Sequence, residues 1–226
     1  MTGNHRQLWF RWMGANALGE LFGLGLTFLI TAFAFSKLDS QQTLTSILLS
    51  SAFAVTSGAV EATIVGLAQW WAMHPWFPAI TRLSWWLATL VGALLAYGLG
   101  YLPSTLMSMG QDASGAAPAA EPPQWLTLLL AAALGAVAGA VLSLAQWWVL
   151  RRHARRGWLW VPANMLAWAV GMPIIFWSID LAFKMAAPWQ SVLVIIGGLL
   201  VMGAAVGAIE GRFLMTMVPE GPPVPG

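Results

Sequence analysis

The chain has 226 residues, of which 59% are hydrophobic and only 8% charged, with a net charge of +2. A water-soluble domain carries about 25% charged residues, so this chain lacks the polar surface of a soluble fold and its exterior is expected to meet lipid. Cysteine is absent, which excludes disulfides, thiol nucleophiles and thiolate metal ligands, and the small basic excess has a better explanation in topology than in nucleic-acid binding.

In chain order, apolar runs cover 14–36, 44–72, 83–102, 125–150, 161–184 and 190–217. Each reaches the roughly 20 residues that cross a bilayer as a helix. The runs are long, rich in Ala, Leu and Gly, and lack period-two alternation, which argues against barrel strands. The first contains Ala32-Phe33-Ala34, a small-x-small triplet like a signal-peptide cleavage site, but is expected to stay attached. The Pro-, Ala- and Gly-rich stretch 103–123 reads as a flexible outer loop and 218–226 as a tail. The chain 1–226 is thus a single transmembrane domain with no soluble domain left over.

The basic residues orient it. Arg6 and Arg11 precede the first run, and Arg82 lies between the second and third. Arg151, Arg152, Arg155 and Arg156 lie between the fourth and fifth, and Arg212 near the end of the sixth. All eight arginines fall on one side, against Lys37 and Lys184 on the other. The positive-inside rule makes the arginine side cytoplasmic, with both termini inside and a bacterial inner membrane as the setting.

The segment LAQWW occurs at 67–71 and again at 144–148. Around it, GAVEATIVGLAQWW and GAVAGAVLSLAQWW agree at eight of fourteen positions, and GAAVGAIEGRFLMT at 203–216 is a weaker copy that sets Gly203 on Gly58. Among the odd runs, Trp12 precedes Asn16 by four residues and Trp160 precedes Asn164 by four, with Arg82 and Trp86 as a looser match. The expected fold is all-α and integral to the membrane: six helices as three repeated αα-hairpins, at about 8–78, 79–156 and 157–217, an arrangement that invites a pseudo-threefold bundle. Small residues four apart mark tight seams in every run: Ala15-Gly19-Gly23, Gly58-Ala62-Gly66, Gly92-Ala96-Gly100, Gly135-Gly139-Ser143, Ala163-Ala167-Gly171 and Gly203-Gly207-Gly211. Gln69 and Gln146 continue that face and are expected to donate to carbonyls of a neighbouring helix. Trp70, Trp71, Trp147 and Trp148, with Arg151, Arg152, Arg155 and Arg156, are expected at the lipid headgroups, as are Trp12, Trp85 and Trp160.

With its small residues upstream and its Trp-rich return GWLWVPANMLAWAVG, the pair GLAQWW and SLAQWWVLRR resembles a group of bacterial multi-span membrane proteins. These repeat a G-L-x-Q-W-x-x-L-R-R pattern and are found notably in cyanobacteria and filamentous phototrophs. The likeness is close in run four and its arginine loop, partial in run two, where WWAMHP replaces the leucine and arginines, and absent from run six. It implies a repeated membrane fold and supplies no catalytic residue or assigned activity.

Carboxylates inside spans are functional candidates because burying them is costly. Glu20 and Glu61 are expected at similar depth in adjacent antiparallel helices, where two acids would share a proton or hold a cation; the plainer alternative is that each is protonated, or bonded to a Ser, Thr or Trp donor, and merely tolerated. Glu210 is expected to bond one of the glutamines. Asp180 and Lys184, four apart, read as an ion pair near the outer end of run five. That pair is also similar to the Schiff-base helix of microbial rhodopsins, and Arg82 with Trp86 to another of their helices. Retinal is nevertheless disfavoured, because six runs are present rather than seven and Pro188 follows Lys184 closely. His5, His74 and His153 lie at or beyond helix ends without the partners of a metal or haem site; one axial imidazole from His74 would suffice for an Mg-chlorin. No catalytic constellation is visible.

The function expected is therefore a non-enzymatic membrane scaffold or accessory subunit. It would associate with lipids and with other membrane subunits or itself, and bind lipid, pigment or quinone in Trp-lined grooves. The alternative is a small ion, proton or polar-solute transporter using the buried carboxylates and glutamines. Contact between the even-numbered helices through their glycine stripes would count against transport, and a wet axial cavity lined by the acids would favour it.

Overall fold

The computed structural model of the protein describes residues 4–35, 44–114 and 122–219. Within them lie six helices: α1 (His5–Phe35), α2 (Leu44–Met73), α3 (Arg82–Ser114), α4 (Gln124–Leu150), α5 (Trp160–Phe183) and α6 (Pro188–Met217), with a 3-10 turn at Gly157–Leu159. No strand occurs among the described residues. All six helices are long and apolar enough to cross a membrane.

Two boundaries differ from expectation. Helix α1 starts at His5, because the Asn4 side chain accepts from the Arg6 N–H at 3.0 Å and caps the first turn; the polar residues before run one therefore extend a helix rather than precede it. Helix α3 continues to Ser114, so much of the stretch read as a flexible loop is helical. Residues 115–121 of that stretch, Lys37 and the tail from 220 onward lie outside the described residues. Pro173 sits inside α5 without interrupting it. At the start of α6, Pro188 occupies the first turn, where its missing N–H costs nothing, and the Gln190 side chain accepts from the Ala187 N–H at 3.2 Å.

Each helix packs on the next, and α6 packs on α1, closing a ring. Small residues set the seams. A methyl group added at Gly139 would stand 2.6 Å from the Asn164 carbonyl oxygen, and one at Gly207 2.8 Å from the Met13 Cα. At Gly23 it would stand 3.1 Å from the Glu61 Cα, and at Gly171 2.6 Å from Val206. The glycines of α2, α4 and α6 thus face the odd-numbered helices, not one another. Nor does every small-residue stripe mark a seam along its length: Gly92 lies against the Leu142 backbone, whereas Gly100 has open space beside it.

Leu8, Trp12, Met73, Phe77, Trp85 and Trp160 belong to one buried cluster at the arginine-bearing end, and Ala167, Ile175, Leu199, Met202 and Val206 form a second between α5 and α6. The first corrects the expectation for three tryptophans. Trp12, Trp85 and Trp160 are fully buried, inside the ring instead of in a headgroup belt.

Candidate functional site

The arginine-bearing end of the ring is closed by those three indoles, one from each odd-numbered helix. Their centroids are 5.6 Å (Trp12–Trp160), 6.1 Å (Trp85–Trp160) and 6.2 Å (Trp12–Trp85) apart, all edge-to-face, the arrangement the ring quadrupole favours. A buried indole also needs an acceptor for its N–H, and each finds one on an even-numbered helix. Trp12 donates to Glu210 Oε2 at 3.1 Å, Trp85 to Gln69 Oε1 at 3.3 Å, and Trp160 to Gln146 Oε1 at 2.9 Å. Four residues beyond each tryptophan a polar side chain turns back onto its carbonyl: Asn16 at 2.9 Å, Thr89 at 3.0 Å and Asn164 at 2.9 Å.

The glutamines tie these sets together. Gln69 Nε2 donates to Asn16 Oδ1 at 2.9 Å; Gln146 Nε2 donates to Thr89 Oγ1 at 2.9 Å and to Gln69 Oε1 at 3.3 Å. Their partners are side chains, where backbone carbonyls were expected. Glu210 meets the Trp12 indole rather than a glutamine, and so stands toward Trp12 as Gln69 stands toward Trp85. Asn164 Oδ1 is buried without a hydrogen-bond partner. Thr89 on Trp85 thus makes the bond that Asn16 makes on Trp12; the spacing of four in the sequence carried that signal.

Deeper in the ring lie Glu20 and Glu61, both buried. Gly23 brings the α1 backbone against Glu61, while the Glu20 side chain lies beside Gly203 of α6. Glu20 is within electrostatic reach of both Glu61 and Glu210. The Tyr97 hydroxyl of α3 donates to Glu61 Oε2, a partner that sequence reasoning missed because one tyrosine in an apolar run has no spacing signature. Glu20 Oε2 has no hydrogen-bond partner. Further along the α1–α2 seam, Thr27 Oγ1 donates to the Ser57 carbonyl at 3.2 Å, and the Thr31 and Ser57 hydroxyls are 3.4 Å apart. Among the described residues no three His, Asp or Glu side chains converge closely enough to cage a metal ion. Chemically, this line of carboxyl, hydroxyl and amide groups offers proton donors and acceptors.

The remaining predicted residues lie elsewhere. Lys184 Nζ is 2.7 Å from Asp180 Oδ2, which also accepts from Gln124 at 3.0 Å, and this group is solvent- or headgroup-exposed. In each LAQWW segment the glutamine turns inward, the first tryptophan is half-buried and the second is exposed. Trp70 donates to the Ile80 carbonyl at 3.0 Å. The Arg11 guanidinium lies 4.3 Å from the Trp71 ring centre and that of Arg151 3.3 Å from Trp148. Arg152, Arg155 and Arg156 are exposed on the connecting loop, which turns at Arg156 with a positive φ of 49°. No family model, curated protein or solved structure matches the chain.

Proposed function

We propose that the protein is a non-catalytic scaffold or accessory subunit of a bacterial inner-membrane complex, with α1–α2, α3–α4 and α5–α6 as three related hairpins about an approximate threefold axis and the arginine-bearing end cytoplasmic. The observation that carries this reading is the plug of Trp12, Trp85 and Trp160. Three interlocked indoles, each hydrogen-bonded to a neighbouring helix, fill the axis where a conduit would open, and they cost nothing in a protein whose work is to be held and to hold others. The three Trp–acceptor sets support the threefold relation, and the sidedness of the arginines supports the orientation. Large apolar side chains cover the outside, among them Leu29, Phe22 and Val201, a surface suited to lipid and to the helices of other subunits. Purification in mild detergent, followed by mass spectrometry and an absorption spectrum, tests the reading. Co-purifying subunits, a pigment band or a bound quinone are expected; a colourless particle carrying bulk lipid alone would count against it.

A second reading, proton movement, is favoured by one specific observation: polar groups recur along α1 and α2, from Asn16 and Gln69 through Glu20 and Glu61 to Thr27, Ser57 and Thr31, with Tyr97 of α3 bonded to Glu61. Its test is proton flux into vesicles containing the purified protein. Flux that is abolished by Glu61→Gln would replace the scaffold reading.

A further inference from the structure

On the outer face of the ring, at the arginine-bearing end, a groove of about 570 Å³ runs over α6 between α1 and α5. Its walls include Arg6 and Trp9 from α1, Leu166 from α5, and Ile209, Arg212 and Phe213 from α6. The volume is that of an ordinary ligand site, and the lining separates by chemistry. Trp9 has committed its N–H to the Ala208 carbonyl at 2.8 Å, so it offers the groove only an apolar ring. Leu166, Ile209 and Phe213 are apolar throughout. The charge comes from two guanidiniums.

Neither Arg6 nor Arg212 has an acidic partner among the described residues. Glu210, the acid nearest in sequence to Arg212, is two positions away, about 200° around the helix, and is buried against Trp12. Other arginines of this end differ: the Arg11 guanidinium donates to the Trp71 carbonyl at 3.0 Å, and that of Arg151 stands 3.3 Å from the Trp148 ring centre. The groove therefore combines two cations that have no acidic partner among the described residues with an apolar bed, on a surface suited to a membrane.

We infer that this groove is a binding site for one anionic glycerophospholipid, its phosphate between Arg6 and Arg212 and an acyl chain along Trp9, Leu166, Ile209 and Phe213. A guanidinium presents paired N–H donors that match phosphate oxygens, and basic pockets between membrane helices select anionic headgroups. A soluble anion would leave the apolar bed bare, and a zwitterionic lipid would place its own cation against the two arginines. The inference rests on the lipid-binding part of the accessory reading and specifies the lipid and the place.

The test is native mass spectrometry of the full-length protein in detergent, titrated with phosphatidylglycerol and, separately, with phosphatidylcholine. One phosphatidylglycerol is expected to be retained in preference to phosphatidylcholine. The pair Arg6→Ala and Arg212→Ala is expected to weaken that retention roughly tenfold or more, while Arg82→Ala, exposed at the start of α3 and outside the groove lining, leaves it unchanged. Arg6→Lys with Arg212→Lys keeps the charge and is expected to recover part of the retention, even if the alanine pair lowers stability. Equal retention of both lipids, or retention indifferent to the alanine pair, would overturn the site. A polypeptide lost in place of a lipid from the alanine pair would also overturn it and assign the groove to a protein partner. Subunits that co-purify are read in the same spectra by mass, so failure of the lipid site and failure of the accessory role are separate results.

Discussion

Two seams of the ring, α1–α2 and α5–α6, are built to one plan and filled differently. In both, a glycine of the odd-numbered helix brings its backbone against the even-numbered one: Gly23 against Glu61, and Gly171 against Val206. The α5–α6 seam is then packed with Ala167, Ile175, Met202 and Val206. The α1–α2 seam carries Glu61, Thr27 and Ser57, with Glu20 of α1 turned beside Gly203 of α6, all buried. Close approach in lipid is a matter of small residues and dispersion contact, and the apolar seam shows that it needs no acid. The carboxyls of α1 and α2 are thus an addition to a seam that the glycines already make, which is why they are the candidates for function rather than for architecture.

That comparison can be broken most severely at the glycines. Gly139→Val places side-chain atoms against the Asn164 carbonyl and should cost about 3 kcal/mol by overpacking, a fall of roughly 6–12 °C in Tm for a chain of this size. Gly98→Val, where nothing lies within 4 Å, is the control in the same thermal melt. An equal loss at both sites would mean that helix propensity, not seam distance, governs these glycines.

A smaller loss is expected from the amide network. Gln146→Leu leaves the Trp160 indole without its acceptor and Thr89 without its donor, at about 1–3 kcal/mol for stranded buried polar groups. Chemical denaturation in detergent reads this directly, and a change under about 0.5 kcal/mol would show that the indole plug holds by packing alone.

The acids sharpen the contrast between the two seams. Glu61→Leu removes the acceptor of the Tyr97 hydroxyl and should cost about 1 kcal/mol, while Glu61→Gln retains a carbonyl acceptor and should fall within about 0.5 kcal/mol of the parent. If leucine were as stable as glutamine here, the α1–α2 seam would be indifferent to its polar filling. Glu210→Gln is the mildest change. A glutamine still accepts from Trp12 through its carbonyl oxygen and takes an ionisable group out of a fully buried position, so Tm is expected to stay level or rise slightly. A clear fall would mean that the carboxyl group itself is needed at that position.

How much of this was legible in the sequence depended on what each signal measures. Composition points to lipid around the chain, and run length separates six helices long and apolar enough to cross a membrane, because both report on solvent. The two LAQWW segments share one burial pattern, and their inward glutamines follow from their place on the small-residue face. Trp12, Trp85 and Trp160 were misplaced because an indole suits a headgroup layer and a hydrogen-bonded core equally well, and spacing from the membrane boundary does not distinguish them. The partner of Glu210 is hidden for a related reason. Glycines at 203, 207 and 211 match any stripe of spacing four after a shift of four, so the pattern carries no sign that Glu210 accepts from Trp12 as Gln69 accepts from Trp85. Tyr97 and Thr89 are single polar residues in apolar runs, and their partners come from other helices. No local pattern encodes them.

Closure of the ring between α1 and α6 imposes an order on biosynthesis. The bonds from Trp9 to Ala208 and from Trp12 to Glu210 span 199 and 198 residues. At a synthesis rate of about 5–20 residues per second, the first helix waits about 10–40 s for its last neighbour. Throughout that interval the face of α1 that carries Trp12 and Glu20 must be sheltered by the insertion machinery or by lipid that tolerates it poorly. A chain arrested before α6 would present that polar face permanently, and is the form that membrane quality control should find and remove first.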